Sequence, residues 1–207
     1  MEGLRIETIG TVLALLCALW LRPWRLLKGP LLTPALAALV LLPLLWLTPQ
    51  FMPAGLRVQL SGASLLVLVL GWPLAVPLLA VVALLVWGLG TEGPQLALIQ
   101  LWWLGVVPAT LALVLGAALR RWLPANPFVY TLGRGFLGTA VSVFVAGALM
   151  RWFQPLGHDG SLVAVWLMAW GDAFLTGMVC AVFAAFVPQW LATWSDARYL
   201  RPPGADR

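Results

Sequence analysis

The sequence predicts an all-α, polytopic membrane helix bundle of about seven transmembrane helices, the third and fourth of them short. It places the N-terminus outside and the C-terminus inside. Composition is the first observation behind this: the 207 residues are 62% hydrophobic and only 9% charged, where a soluble domain carries roughly 25% charged residues. The second is the arrangement of the apolar residues in runs of bilayer length, separated by short segments rich in Gly, Pro and basic residues. The third is charge asymmetry. With seven spans, Arg22, Arg25, Lys28, Arg120, Arg121, Arg198, Arg201 and Arg207 fall on one side and Arg5, Arg57 and Arg151 on the other, eight against three. Six spans give at best seven against four. Basic residues concentrate in cytoplasmic loops, which favours seven.

In chain order the first span covers about 8–21. Glu2 and Glu7 flank Arg5 before it, and it ends at Arg22 with no small-residue cleavage site, so it reads as a retained helix rather than a signal peptide. The second covers 31–47. From Leu56 to Gly90 a single helix would measure roughly 50 Å against a hydrocarbon core of roughly 30 Å. Gly71, Pro73 and Pro77 interrupt the run. Two short passes, 57–71 and 74–89, or a re-entrant pair, are the economical solutions. Non-helical backbone at that depth is tolerated only under cover of protein or water, and broken segments of this kind mark substrate sites in transporters.

The fifth, sixth and seventh spans cover about 96–119, 127–150 and 162–187. Asn126 followed by Pro127 is an N-cap and first-turn pair that opens the sixth. Residues 1–194 form one transmembrane domain, and 195–207 a short polar cytoplasmic tail. Trp20, Trp24, Trp46, Trp72, Trp87, Trp122, Trp152 and Trp190 stand near span ends and read as interfacial anchors.

Several chemistries are excluded. The net charge of +5 is scattered between spans and sets topology; it predicts no nucleic-acid partner. The single lysine, Lys28, precedes Gly29 and Pro30 and cannot form a Walker A loop. One histidine, His158, rules out HExxH and all-histidine cages, and His158-Asp159-Gly160 reads as a turn in an outer loop. Gly133-Arg134-Gly135-Phe136-Leu137-Gly138 matches GxGxxG as a string, but it opens a membrane span instead of following a strand. Cys17 and Cys180 lie in apolar runs and read as packing residues. No catalytic residue and no metal ligand is assigned, and the chain is read as a non-enzyme.

Asp172, near the middle of the last span, is the outstanding residue. A carboxylate at that depth costs about 3 kcal/mol on insertion scales. It is therefore paired, facing a wet cavity, or functional. Met168, Asp172, Thr176 and Cys180 follow at four-residue steps on one drifting helix face. Arg134 is the other ionisable group well inside a span, and two readings stand: pairing with Asp172, or snorkelling to the inner surface. Gly135, Gly138, Ser142 and Ala146 give the sixth span a smooth face, and Ala173, Gly177, Ala181 and Ala185 do the same on the seventh. Such faces let helices pack closely, so these two are expected to touch.

Residues 171–191, with Asp172, Ala173, Phe174, Leu175 and Thr176 followed by Pro188 and Leu191, resemble the closing helix of the CbiM/NikM family. These are the membrane substrate-binding components of energy-coupling-factor transporters for cobalt and nickel. Residues 55–77 resemble the family's early small-residue stretch, with Gly62 and Gly71 at its glycines. The Asn126–Tyr130 and Gly171–Phe174 stretches resemble an uncharacterised bacterial branch of it. Metal-transporting members use the N-terminal amine, a histidine at the second residue and further histidines near the short early span. Here those places hold Glu2 and Gln59, so the metal ligands do not carry over.

The resemblance implies the substrate-binding or permease component of an energy-coupling-factor type ABC transporter in a bacterial inner membrane, for a metal cation or a small cofactor. The implied partners are the lipid bilayer, a separate ATPase subunit that uses the ATP, and a second membrane subunit. No cofactor is expected in this chain. Asp172, Thr176, Gln59 and Met168 are the expected substrate-binding residues; Arg134, Gly135, Gly138, Asn126, Gly171 and Gly177 are expected to support packing. The alternative is a membrane scaffold or assembly factor, in which Asp172 is purely structural.

Overall fold

The computed structural model describes residues 2–25, 27, 29–51, 59–91, 93–153 and 162–199. All its regular elements are helices: α1 (Glu2–Trp20), α2 (Leu32–Leu47), α3 (Ala63–Leu70), α4 (Trp72–Leu89), α5 (Pro94–Trp122), α6 (Val129–Phe153), α7 (Leu162–Phe186) and a last turn, α8 (Asp196–Tyr199), with short 3-10 turns between them. Among the described residues, five helices are long and apolar enough to cross a membrane: α2 with its flanking turns, α4, α5, α6 and α7. The chain is an all-α, polytopic helix bundle. His158, Asp159 and the side chain of Glu2 lie outside what the structure describes.

Contacts at the helix ends fix the order of passes. Gly90, just after α4, lies against Leu47 and Gln50 at the end of α2, and Trp103 of α5 stacks on Phe153 at the end of α6. At the opposite end, the turn before α2 packs on the turn after α7, and Tyr130 at the start of α6 bonds Thr193. Ala192 N–H donates to the Val69 carbonyl at the end of α3. The chain therefore leaves α2 at one end of the bundle and finishes α3 at the other. The third traverse ends in only eight helical residues, roughly 12 Å.

α3 is short, as expected from the sequence, but α4 is not. Its 18 residues measure roughly 27 Å and form one continuous helix. Pro73 stands in its first turn, where no N–H is required, and Pro77 falls within the next turn. Pro73 starts α4, and Pro77, inside the helix, does not divide it. The break is made by Gly71, whose φ of 77° is open to glycine and strained for other residues. α3 is apolar on nearly every side, and accordingly Ala63, Ser64 and Leu66 to Leu70 are all buried. α2, α4, α5, α6 and α7 all pack against it. Lipid-facing positions such as Leu36, Val40, Leu44, Leu84, Leu132 and Leu167 lie outside this core.

Of the eight tryptophans expected as anchors, five are exposed, one is buried, and Trp72 and Trp190 are half-buried. Trp20, Trp24, Trp87, Trp122 and Trp152 are exposed near helix ends, as anchors should be. Trp46 is instead 1% exposed and donates its indole N–H to the Ser61 carbonyl at 3.0 Å. It is a core residue, not an anchor. α5 and α6 each contain a wide π-helical stretch, Leu101–Val106 and Val129–Leu137. Trp102, in the first, lies against Gly10 of α1, where a Cβ would collide with its rigid ring. Gly10→Val is expected to separate α1 from α5 and cost about 1–3 kcal/mol, the range for overpacking. Its readout is the thermal unfolding midpoint of detergent-purified protein.

Candidate functional site

The site begins with the backbone. Ser61-Gly62-Ala63 starts a helix at middle depth, and a helix start presents N–H groups with no intrahelical acceptor. Water cannot supply one inside a bilayer. Asp172, ten residues into α7 and so roughly 15 Å from its start, provides the acceptor. Its Oδ2 accepts from Ser61 N–H at 3.0 Å, and both oxygens accept from Gly62 N–H, at 3.2 and 3.3 Å. The carboxylate is fully buried. The partial positive charge of the α3 N-terminus stabilises the anion, and the anion satisfies the helix start.

The surrounding groups fix this junction. Gly62 has φ of 65°, and Leu66 N–H returns to its carbonyl to make the first helical bond. Ser61 Oγ accepts from Ala63 N–H at 3.1 Å and donates to the Leu104 carbonyl at 2.6 Å. Leu104 lies in the π-helical stretch of α5, and the residue four places on, Pro108, has no N–H to give it. Gln59 donates from Nε2 to the Trp46 carbonyl at 3.3 Å.

The far end of α3 is held by the chain that follows α7. Thr193 donates N–H and Oγ1 to the Leu68 carbonyl, at 3.3 and 2.8 Å, and Ala192 donates to Val69. Tyr130 Oη lies 2.7 Å from Thr193 Oγ1. Tyr199 is buried, and its ring meets those of Tyr130 and Trp194. Residues beyond 194 thus begin by folding back onto the bundle. α7 and its extension grip α3 at both ends.

The expected substrate residues are only partly brought together. Asp172 and Thr176 are both fully buried on the α7 face toward the core, along with Cys180. Gln59 is engaged with α2, and Met168 is half-buried one turn away from Asp172. One cavity lies between Thr131, Phe136, Phe174 and Met178 on the lipid side. Another, small one is lined in part by Arg134 and Tyr130. Asp172 lines neither. Among the described residues no group of three or more His, Cys, Asp or Glu is gathered in one place.

Arg134 does not pair with Asp172. Its guanidinium sits against Gly116 of α5, 5.3 Å from the centre of the Tyr130 ring, toward the end of the bundle where α5 meets α6. The π-helical stretch that carries it also carries Gly135, where α7 approaches closely: a Cβ there would meet Cys180 at 3.2 Å, and one on Gly177 would meet Phe136 at 3.1 Å. α6 and α7 therefore touch along Gly135, Ser142 and Ala146 on one side and Ala173 and Gly177 on the other. Gly138 faces its own helix, against the Gly133 carbonyl, and Ala181 and Ala185 turn out to the surface. Gly171 is exposed, with Leu60 beside it. Asn126 caps α6 as expected, its Oδ1 accepting from Phe128 N–H at 3.0 Å.

One buried acid escaped the sequence reading. Glu7, taken there as polar flank, is 1% exposed and accepts from the Trp103 indole at 2.6 Å. Trp103→Phe removes this buried bond and is expected to cost about 1–3 kcal/mol, read in the same unfolding assay. Glu7 falls on the helix face opposite its exposed neighbours Ile6 and Ile9, but a single helix does not reveal which face a bundle covers.

No protein-family profile matches the chain, and no curated protein or solved structure is significantly similar to it.

Proposed function

We propose that this multi-pass membrane protein is the membrane-embedded substrate-binding or permease component of an energy-coupling-factor type transporter in a bacterial inner membrane. The observation that carries the reading is the third traverse, whose helix starts at middle depth with its N-terminus facing a carboxylate. Discontinuous helices ending at the midplane are the device by which transporters build sites without exposing backbone to lipid. The resemblance of 171–191 and 55–77 to the CbiM/NikM family supports the same class. In this reading Asp172 holds the half-helix, and cargo, a metal cation or small cofactor, is admitted when α3 shifts against α7. A separate ATPase and a second membrane subunit supply the drive.

A second reading is favoured by the closure of the Asp172 junction. A carboxylate fully engaged with backbone amides suits a scaffold or assembly factor that binds another membrane protein. A tagged pull-down in mild detergent, followed by mass spectrometry, separates the two. Stoichiometric recovery of an ATPase with a second membrane subunit is the expected result. Recovery of an unrelated membrane complex without an ATPase would sink the transporter reading.

A further inference from the structure

We infer that residues 187–199 form a strap that closes over the ends of α3 and α6 and opens as a local unit, leaving α3 pinned at Asp172. α3 has only eight residues, too few to hold a helix unaided, so its free backbone groups must be met from outside. At its start Asp172 meets them at middle depth. At its end the Leu68 and Val69 carbonyls accept from Thr193 N–H and Oγ1 and from Ala192 N–H. Both partners belong to one stretch of chain. From Asp172 to Phe186 α7 rises roughly 21 Å, whereas α3 rises only roughly 12 Å toward the same end of the bundle. The chain therefore turns back after α7 to reach the end of α3. It does so through Val187 and Leu191, both outside helical geometry.

The two ends differ in what can replace these bonds. No water is at hand at middle depth. The strap lies at the end of the bundle where α5 finishes in Arg120 and Arg121, and its Ala192, Ser195 and Asp196 are exposed. Water can take over the carbonyls there. The closed strap also leaves a charge unanswered. Its Thr193, Trp194 and Tyr199 close on Tyr130, whose ring centre is 5.3 Å from the Arg134 guanidinium. That group stays charged, yet its Nε and Nη1 are buried with no acceptor among the described residues. A space of about 10 Å³, room for one water, lies between Arg134, Tyr130 and Tyr199. Buried donors left in this state are a reservoir of strain, and opening the strap admits the water that relieves it. In the transporter reading, on which this last step rests, an open strap frees α3 to swing about Asp172 and admit cargo.

The test is hydrogen exchange of the full chain in nanodiscs, read at single amides by NMR. In wild type, Ala192 and Thr193 are expected to exchange about 100-fold faster than Ser61 and Gly62, because the strap opens without the bundle. Tyr130→Phe removes one bond to the strap and should speed Ala192 about fivefold, with Ser61 and Gly62 unchanged. Thr193→Val should do the same, whereas Thr193→Ser keeps the hydroxyl and the wild-type rate. Arg134→Met fills the same place without donors and should slow Ala192 about fivefold, since an apolar side chain relieves a buried unpaired charge. Equal rates at all four amides in wild type, or faster exchange at Ala192 in Arg134→Met, would overturn the strap. Exchange needs neither cargo nor partner, so its failure is distinct from that of the transporter reading, which the pull-down decides.

Discussion

Asp172→Ala is expected to destabilise the protein by about 3–5 kcal/mol, because it strands the Ser61 and Gly62 N–H groups with no acceptor in a place water does not reach. Bonds from charged acceptors to such donors are worth about 1.5–3 kcal/mol each, and truncation leaves the donors uncompensated. Asp172→Asn retains one oxygen that can accept, and is expected to cost only about 1–2 kcal/mol. The order of unfolding midpoints, wild type above Asn above Ala, is the signature of a carboxylate that serves backbone. Should Asp172→Asn leave the midpoint at wild type while abolishing transport, the residue would be a cargo ligand and the structural role would fall. Amide hydrogen exchange at Ser61, Gly62 and Ala63 offers a local readout, since losing the cap should accelerate exchange there before the whole bundle opens.

Gly62→Ala carries the second large effect. Its φ of 65° costs an L-residue about 1–2 kcal/mol, and the added methyl would run into the Leu42 side chain. About 2–4 kcal/mol is expected in total once overpacking is included. The two contributions separate experimentally. Leu42→Ala combined with Gly62→Ala relieves the collision but not the backbone strain, so the double variant should recover part of the added loss relative to Leu42→Ala alone. Gly62→Ala with Asp172→Ala should be less than additive, because both changes damage the same helix start. Strict additivity would mean that Asp172 and Gly62 act independently, contrary to the geometry.

The sequence by itself determined the class of protein and where most of its apolar helices start and stop. Those properties depend on local quantities. Bilayer thickness sets run length, Asn126-Pro127 caps a helix from within two residues, and α7 follows directly from one uninterrupted apolar stretch. Asp172 was also legible as exceptional, since its cost at middle depth holds in any fold. Even the start of α3 left a trace, because Ser61-Gly62 before an apolar run is an N-cap signal.

Only the tertiary structure decided what answers each buried polar group. Asp172 and Ser61 are 111 residues apart, Trp103 and Glu7 are 96 apart, and Thr193 reaches Leu68 across 125. No periodicity links such positions. Trp46 near the end of its run read as an anchor for the same reason: the residue that would cover it, Ser61, lies on another traverse. Pairing of Arg134 with Asp172 stood beside snorkelling in the sequence reading because they were the two charges recognised inside spans, whereas helix packing carried Arg134 to Gly116 and left Asp172 to the backbone of α3. Lipid imposes one rule, that every buried polar group must find a partner. The fold alone chooses which.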